Sequence, residues 1–217
     1  MSLVQGSEEW LEERKKRVGA SDISIIMGIN PWKGIVELWK EKLGLSVAPF
    51  KNYAMQRGIL LEPPAREKFI ETTKIKVTPE VRYHPKYPWL MASLDGISAC
   101  GKHIVEIKCA GKKDHALAME GVIPEYYIPQ VQTQIEVCGV TQAYYYSFDG
   151  DQGKCIVIQR DDEMIKKIIA CGSYFYDCMQ FFVMPQEVEI EKIMMEGIYD
   201  ESYFRATQEV PFRLFVL

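Results

Sequence analysis

The run Trp89-Leu90-Met91-Ala92-Ser93-Leu94-Asp95-Gly96, followed after ten residues (96 to 105) by Glu106-Ile107-Lys108-Cys109, decides how this chain is read. Both segments are rich in large apolar side chains and bounded by turn-forming stretches, so they read as strands. Side chains two apart on a strand share a face, so Glu106 and Lys108 point the same way, with Ile104 before them. Val105, Ile107 and Cys109 turn to apolar packing on the opposite face. A carboxylate and an ammonium inside an otherwise apolar strand are costly to bury without a purpose. Asp95 ends the preceding strand, and a short hairpin connection sets it beside Glu106. Converging carboxylates repel each other unless a cation lies between them. Oxygen donors without soft ones favour Mg²⁺ or Mn²⁺ over zinc. Such ions lower the pKa of a bound water and clamp a phosphodiester, with Lys108 left to hold the attacking water. A salt-bridged hairpin with no further task is the competing reading of these three residues alone.

Working outward, Glu8 to Lys16 reads as a short charged helix carrying Trp10. Ser21 or Asp22 is placed to cap the apolar segment Ile23 to Met27. Gly28-Ile29-Asn30-Pro31 is a turn, and Ile35 to Leu43 is a helix that Gly44 ends. A helical pattern runs from Asn52 to about Thr73, and Pro63-Pro64 predicts a kink or a restart within it. Beyond residue 74 the period changes to two, giving strands over 76–83, 89–95 and 103–109. Pro124 to Val140 is a helix, and 142–148 with 154–160 form a hairpin around Asp149 to Gly153. Asp161 or Asp162 caps a long amphipathic helix that Pro185 ends, and a further helix is expected near 187–197. These elements predict an α/β fold, a central mixed sheet flanked by helices. The whole of 1–217 reads as one domain, with a core over about 10–185 and an extension over 186–217.

The chain has 217 residues, 47% of them hydrophobic, which excludes intrinsic disorder. No apolar run is long enough to span a membrane. Its six cysteines form no C-x-x-C pair and no zinc spacing. With no signal peptide, the expectation is reduced thiols and a cytoplasmic location. A net charge of −4 argues at first against a nucleic-acid partner, whose grip comes from Lys and Arg on phosphates. Basic residues cluster nonetheless, at Arg14 to Arg17, Lys40 with Lys42, Arg66 with Lys68, Lys112-Lys113 and Lys166-Lys167.

Five short stretches, in order, carry a more specific signal. They are Trp10-x-x-x-Arg14 with Gly19-Ala20-Ser21-Asp22, Gln56-Arg57-Gly58-Ile59-Leu60-Leu61-Glu62, Ser93-Leu94-Asp95-Gly96, Glu106-Ile107-Lys108-Cys109 and Gln130-Val131-Gln132. Together they resemble the lambda exonuclease / YqaJ-like viral recombinase family of the PD-(D/E)XK nuclease superfamily, from Trp10 to about Arg160. The resemblance implies a PD-(D/E)XK restriction-endonuclease-like core. It also implies a Mg²⁺-dependent 5′-to-3′ exonuclease (Mn²⁺ substituting, two ions per site) acting on double-stranded DNA ends. The products would be 5′ mononucleotides and 3′ single-stranded tails for phage-type recombination.

Position by position, Asp95, Glu106, the Ile107 carbonyl and Glu62 would ligate metal, and Lys108 would position the nucleophilic water. Gln130 would contact the scissile region. Arg14, Ser21 and Ser93 match residues that hold a 5′-terminal phosphate, for which an Arg fork with hydroxyl donors is a sound receptor. Arg17 is the competing phosphate ligand, and the run Arg14-Lys15-Lys16-Arg17 also reads as a solvated helix face. Trp32, after a turn, would wedge against the last base pair or stack on the unpaired strand; packing on its own helix is the alternative. Tyr126-Tyr127 and Tyr144-Tyr145-Tyr146 read as core and sheet aromatics. The family also implies a homotrimeric ring around DNA and a single-strand annealing protein as partner. The apolar end, Pro211 to Leu217, suits a subunit or partner contact. The competing functions are a PD-(D/E)XK endonuclease, of restriction or junction-resolving type, and a non-catalytic DNA-end-binding domain.

Overall fold

The computed structural model describes residues 3–46, 53–109 and 111–208; the apolar run Pro211 to Leu217 and the expected helix start at Asn52 lie outside them. The strands are β1 (Val18–Gly19), β2 (Thr78–Tyr83), β3 (Leu90–Ile97), β4 (Ile104–Lys108), β5 (Gln142–Phe148) and β6 (Gly153–Gln159). They form one mixed sheet in the order β1-β3-β4-β5-β6, with β2 antiparallel to β3. β1 joins β3 in parallel, β3–β4 and β5–β6 are antiparallel, and β4–β5 is parallel. The helices are α1 (Glu8–Lys16), α2 (Ile23–Ile26), α3 (Ile35–Lys42), α4 (Tyr53–Thr73), α5 (Lys112–Met119), α6 (Ile128–Cys138), α7 (Asp162–Gln180), α8 (Glu187–Glu196) and α9 (Glu201–Gln208).

Side-chain alternation on β4 and β5 divides the core in two. Ile104 and Tyr145 belong to the larger cluster, with Val131 and Ile135 of α6 and Ile168 and Phe175 of α7. Val105, Ile107 and Tyr146 face the other way and pack with Ala65 and Phe69 of α4. Glu106 therefore points to the α6 side, while its two neighbours bury apolar surface beneath α4. The expected α/β architecture is observed.

Four local expectations are corrected. α4 runs unbroken through Pro63 and Pro64. Each proline lacks the N–H that would reach the carbonyl four residues back, at Ile59 and Leu60. All four residues are exposed, so water can take up the freed carbonyls. Asp22 does not cap α2 with its side chain; it turns back to accept from the Gly19 N–H at 2.8 Å, closing a 3-10 turn over Ala20–Asp22. α7 stops at Gln180, a turn before Pro185, and Phe182 then takes a left-handed φ of 55°. β1 and α5 arise where no periodicity announces them, and α9 adds a helix to the extension beyond the one expected near 187–197. The hairpin β5–β6 and the Asp161 cap of α7 form as expected.

Candidate active site

β3 and β4 pair at Gly96–Val105 and Ile97–Ile104, and beyond that point the ladder stops. The next residues, Asp95 and Glu106, stand side by side, and the Ile107 N–H donates to Asp95 Oδ2 at 2.7 Å. A carboxylate thus replaces the main-chain acceptor just where the strands part. Gly96 makes the close approach possible: a Cβ there would meet Val77 Cγ2 at 2.6 Å and Val105 Cγ1 at 2.8 Å. α4 lies across this point and delivers Glu62. Its Arg66 pairs with Glu62 and donates through Nε to the Asp95 carbonyl at 2.6 Å. About two and a half turns before Arg66, Arg57 donates to the carbonyls of Cys109 (2.7 Å) and Asp149 (2.5 Å).

Glu106 is 3% exposed yet fully partnered. Its Oε1 meets Lys108 Nζ at 2.6 Å and accepts from Gln130 Nε2 at 2.7 Å; its Oε2 accepts from Gln134 Nε2. Gln130 Oε1 in turn accepts from Lys108 Nζ at 3.0 Å, so one amide bridges acid and base. Lys108 also lies 4.8 Å from the centre of the Tyr127 ring. Gln130 and Gln134 reach Glu106 because residues four apart share a helix face. Gln132 turns away and ties β6 to the start of α7.

The electrostatics of this cluster are those of crowded acids. Burial, with the charges of Glu106 and Glu62, pushes the Asp95 carboxyl well above its ordinary value. Burial also raises Glu62, Glu106 adding to it while Arg66 opposes. Burial alone would lower the Lys108 ammonium, but Glu106 and Asp95 outweigh it and hold it above its usual range. Among the described residues no three His, Cys, Asp or Glu groups already stand as a ligand cage, since each acid leans on a protein donor. The donor set, three mutually repelling carboxylates beside the Ile107 carbonyl, nonetheless fits a hard divalent cation.

The same groove, about 360 Å³, is lined by Arg14, Ser21 and Ser93 as well as Glu62, Asp95, Glu106, Ile107, Lys108 and Gln130. Arg14 Nη2 donates to Ser21 Oγ at 3.0 Å, and its guanidinium packs 4.8 Å from the Trp10 ring centre. Trp10 Nε1 donates to Ser93 Oγ at 2.8 Å, linking α1 to β3. Arg17 is committed elsewhere: it pairs with Glu13, donates to the Pro88 carbonyl at 3.0 Å and covers the Tyr83 ring.

Trp32 does not line this groove. It stands 67% exposed at the rim of a second cavity and meets Tyr126 edge-on at 4.8 Å. Tyr126 and Tyr127 are half-buried near Lys108 and Asp114, Tyr127 packing on the edge of the core against Tyr145, whereas Tyr145 and Tyr146 are buried in the sheet. Sequence reasoning missed Gln134, Arg66, Tyr127 and the Asp22–Lys42 pair. The i, i+4 spacing of Gln130 and Gln134 was the one signal present.

Residues 9–141 match the model of the YqaJ-like viral recombinase domain. The uncharacterized protein YqaJ of Bacillus subtilis (strain 168) is 34% identical over 176 residues, 78% of this chain and 55% of the relative. The chain thus spans about half the length of the curated relative it matches. Among solved structures, the alkaline exonuclease LHK-Exo from Laribacter hongkongensis has a TM-score of 0.69 at 30% identity, covering 88% of this chain and 98% of that one. Its complex with dAMP gives the same values. A phage related exonuclease from Haemophilus somnus 129PT shares the fold at 20% identity, with a TM-score of 0.59 over 76% of this chain and 96% of that one. By its sequence match and by its sheet, this chain belongs to the YqaJ-like viral recombinase domain family.

Proposed function

We propose that the chain is a Mg²⁺-dependent deoxyribonuclease that degrades one strand of duplex DNA from the 5′ end. It releases 5′ mononucleotides and leaves a 3′ single-stranded tail for phage-type recombination. The observation that supports this reading is the single groove shared by an anion receptor and an acid cluster. A receptor for a terminal phosphate beside the cutting centre makes the cut count from the end of the strand. The relative crystallised with dAMP, a deoxynucleoside monophosphate, agrees with that product class.

Each side chain has a defined task. Arg14 offers a guanidinium fork and Ser21 and Ser93 their hydroxyls to the terminal phosphate. Asp95, Glu106, Glu62 and the Ile107 carbonyl would hold Mg²⁺, with Mn²⁺ as a substitute. When bound, the ion supplies Lewis-acid stabilisation of the phosphoryl oxygens and an acidified water. Lys108 holds the attacking water through an N–H bond, and Gln130 fixes its ammonium by accepting from Nζ. Gln134 keeps Glu106 in place from the buried side. Tyr127 closes one flank of Lys108 against bulk water.

The same reading carries a homotrimeric ring around the duplex and an annealing protein that takes up the 3′ tail. Light scattering on the purified chain tests the trimer. An endonuclease would need the acids but not the phosphate receptor. Digestion of end-labelled linear duplex and covalently closed circles, with and without Mg²⁺, separates the two. Loss of 5′ label from the linear form alone supports the exonuclease, and nicked or linearised circles overturn it.

A further inference from the structure

Beneath the proposed phosphate receptor lies a charged pair, neither member of which lines the groove above it. Asp22 is 4% exposed, and Lys42 Nζ reaches its Oδ2 at 2.5 Å, each side chain only 6% exposed. The other two ammonium protons go to the carbonyls of Arg14 (2.7 Å) and Arg17 (2.9 Å). All three donors are thus used, and the last turn of α1 is fastened to α3. Asp22 Oδ2 also accepts from the Gly19 N–H, while Oδ1 faces Arg14 Nη2 at 3.4 Å. That contact is longer than the 3.0 Å bond from Arg14 to Ser21. Arg14 Nη2 is thus shared between the Ser21 hydroxyl and the buried acid, with the shorter bond on the groove side.

We infer that Lys42 is a positioning residue, which neutralises Asp22 so that the Arg14 guanidinium stays turned to the groove for a phosphate dianion. This rests on the reading of Arg14, Ser21 and Ser93 as the terminal-phosphate receptor. With Lys42 present, two cations face one acid, and a net positive charge is left for the ligand. Without it, Asp22 is a buried carboxylate whose one remaining cation is Arg14. An uncompensated buried charge is strongly unfavourable, so the guanidinium is drawn inward and the receptor loses its fork. Gly19 permits the arrangement, since a Cβ there would sit 3.2 Å from Asp22 Oδ2.

The test compares linear duplexes bearing a 5′-phosphate or a 5′-hydroxyl, with KM and kcat measured separately. Lys42→Met is expected to raise KM for the phosphorylated end by roughly tenfold and to erase the discrimination, with kcat on the hydroxyl end unchanged. Lys42→Arg keeps the discrimination. The decisive variant is Asp22→Asn/Lys42→Met, which removes both buried charges and frees Arg14, so discrimination returns to near the wild-type ratio. A Lys42→Met enzyme that still discriminates as wild type overturns the inference. So does a double variant that fails to regain it, because Lys42 is then only a structural tie. If Lys42→Met does not fold, the double variant alone decides by the same criterion. Arg14→Ala is the separate control: should it discriminate like wild type, the phosphate receptor itself is misassigned.

Discussion

Two lysine–carboxylate pairs serve one groove, Lys42 with Asp22 and Lys108 with Glu106, at nearly equal distances of 2.5 and 2.6 Å. Their surroundings differ in sign. Around Asp22 the cations are in excess, and although burial opposes, Lys42 and Arg14 hold its carboxyl below the ordinary value. Around Glu106 the acids are in excess, and Asp95 and Glu62 are both pushed up. The first lysine is sealed and saturated by protein acceptors; the second keeps 21% of its side chain exposed and looks into the groove. On the proposed reading, similar contacts build an anion receptor in one place and a cation receptor in the other. What differs is the count of charges behind each pair, not the pair itself.

The largest expected effect falls on the acid-rich centre. Lys108→Ala should lower the rate of strand degradation by about 10³-fold or more at saturating Mg²⁺, read on end-labelled duplex. Retention of even a tenth of the wild-type rate would mean that Lys108 is a structural partner of Glu106, like Lys42 of Asp22. Next comes Arg14→Ala, which should reduce kcat/KM on 5′-phosphorylated ends by roughly 10–100-fold while leaving 5′-hydroxyl ends nearly unaffected. Equal losses on both substrates would erase the assignment of an anion receptor.

Gln134→Leu should cost about tenfold in kcat, since a charged hydrogen bond to Glu106 is lost while Gln130 and Lys108 remain. The Gln134 carbonyl oxygen is buried without a hydrogen-bond partner, so leucine loses nothing on that side. The smallest effect is one of stability. A carboxyl whose pKa is depressed by folding adds stability above its unfolded value, and that stability is lost as pH falls through the folded one. Asp22→Asn should therefore melt ~5–10 °C below wild type at neutral pH, with the gap closing below about pH 4. A gap that stays constant down to pH 3 would show that the ion pair adds nothing beyond packing.

Much of the acid centre was legible because a strand exposes its logic in alternate residues. Glu106 and Lys108 break an apolar run at spacing two, and Asp95-Gly96 marks where the neighbouring strand meets the end of its ladder with β4, although the strand itself runs on to Ile97. The proposed phosphate receptor was only half legible. Arg14 and Ser21 are seven apart and part of a recognisable stretch, whereas Lys42 meets Asp22 across twenty residues and looks like any surface lysine. β1 has two residues, too few for a period, and α5 (KKDHALAM) has no apolar stripe. α4 defied its prolines because both lie on a wet face where the carbonyls they orphan need no protein donor. The Trp32–Tyr126 contact could not be read from either stretch alone, because an aromatic residue says that it needs contact, not with whom.

Arg57 and Arg66 of α4 both end on main-chain oxygens, those of Cys109, Asp149 and Asp95. The helix that carries Glu62 is in that way measured against the path of three chain segments as well as packed on side chains of the sheet. Sequence can drift along the β5–β6 turn without disturbing the acids, provided that the turn keeps its length. One inserted residue there would move the Asp149 carbonyl and shift α4 with it, so variation in this family should accumulate as substitution at the turn and be purged as insertion.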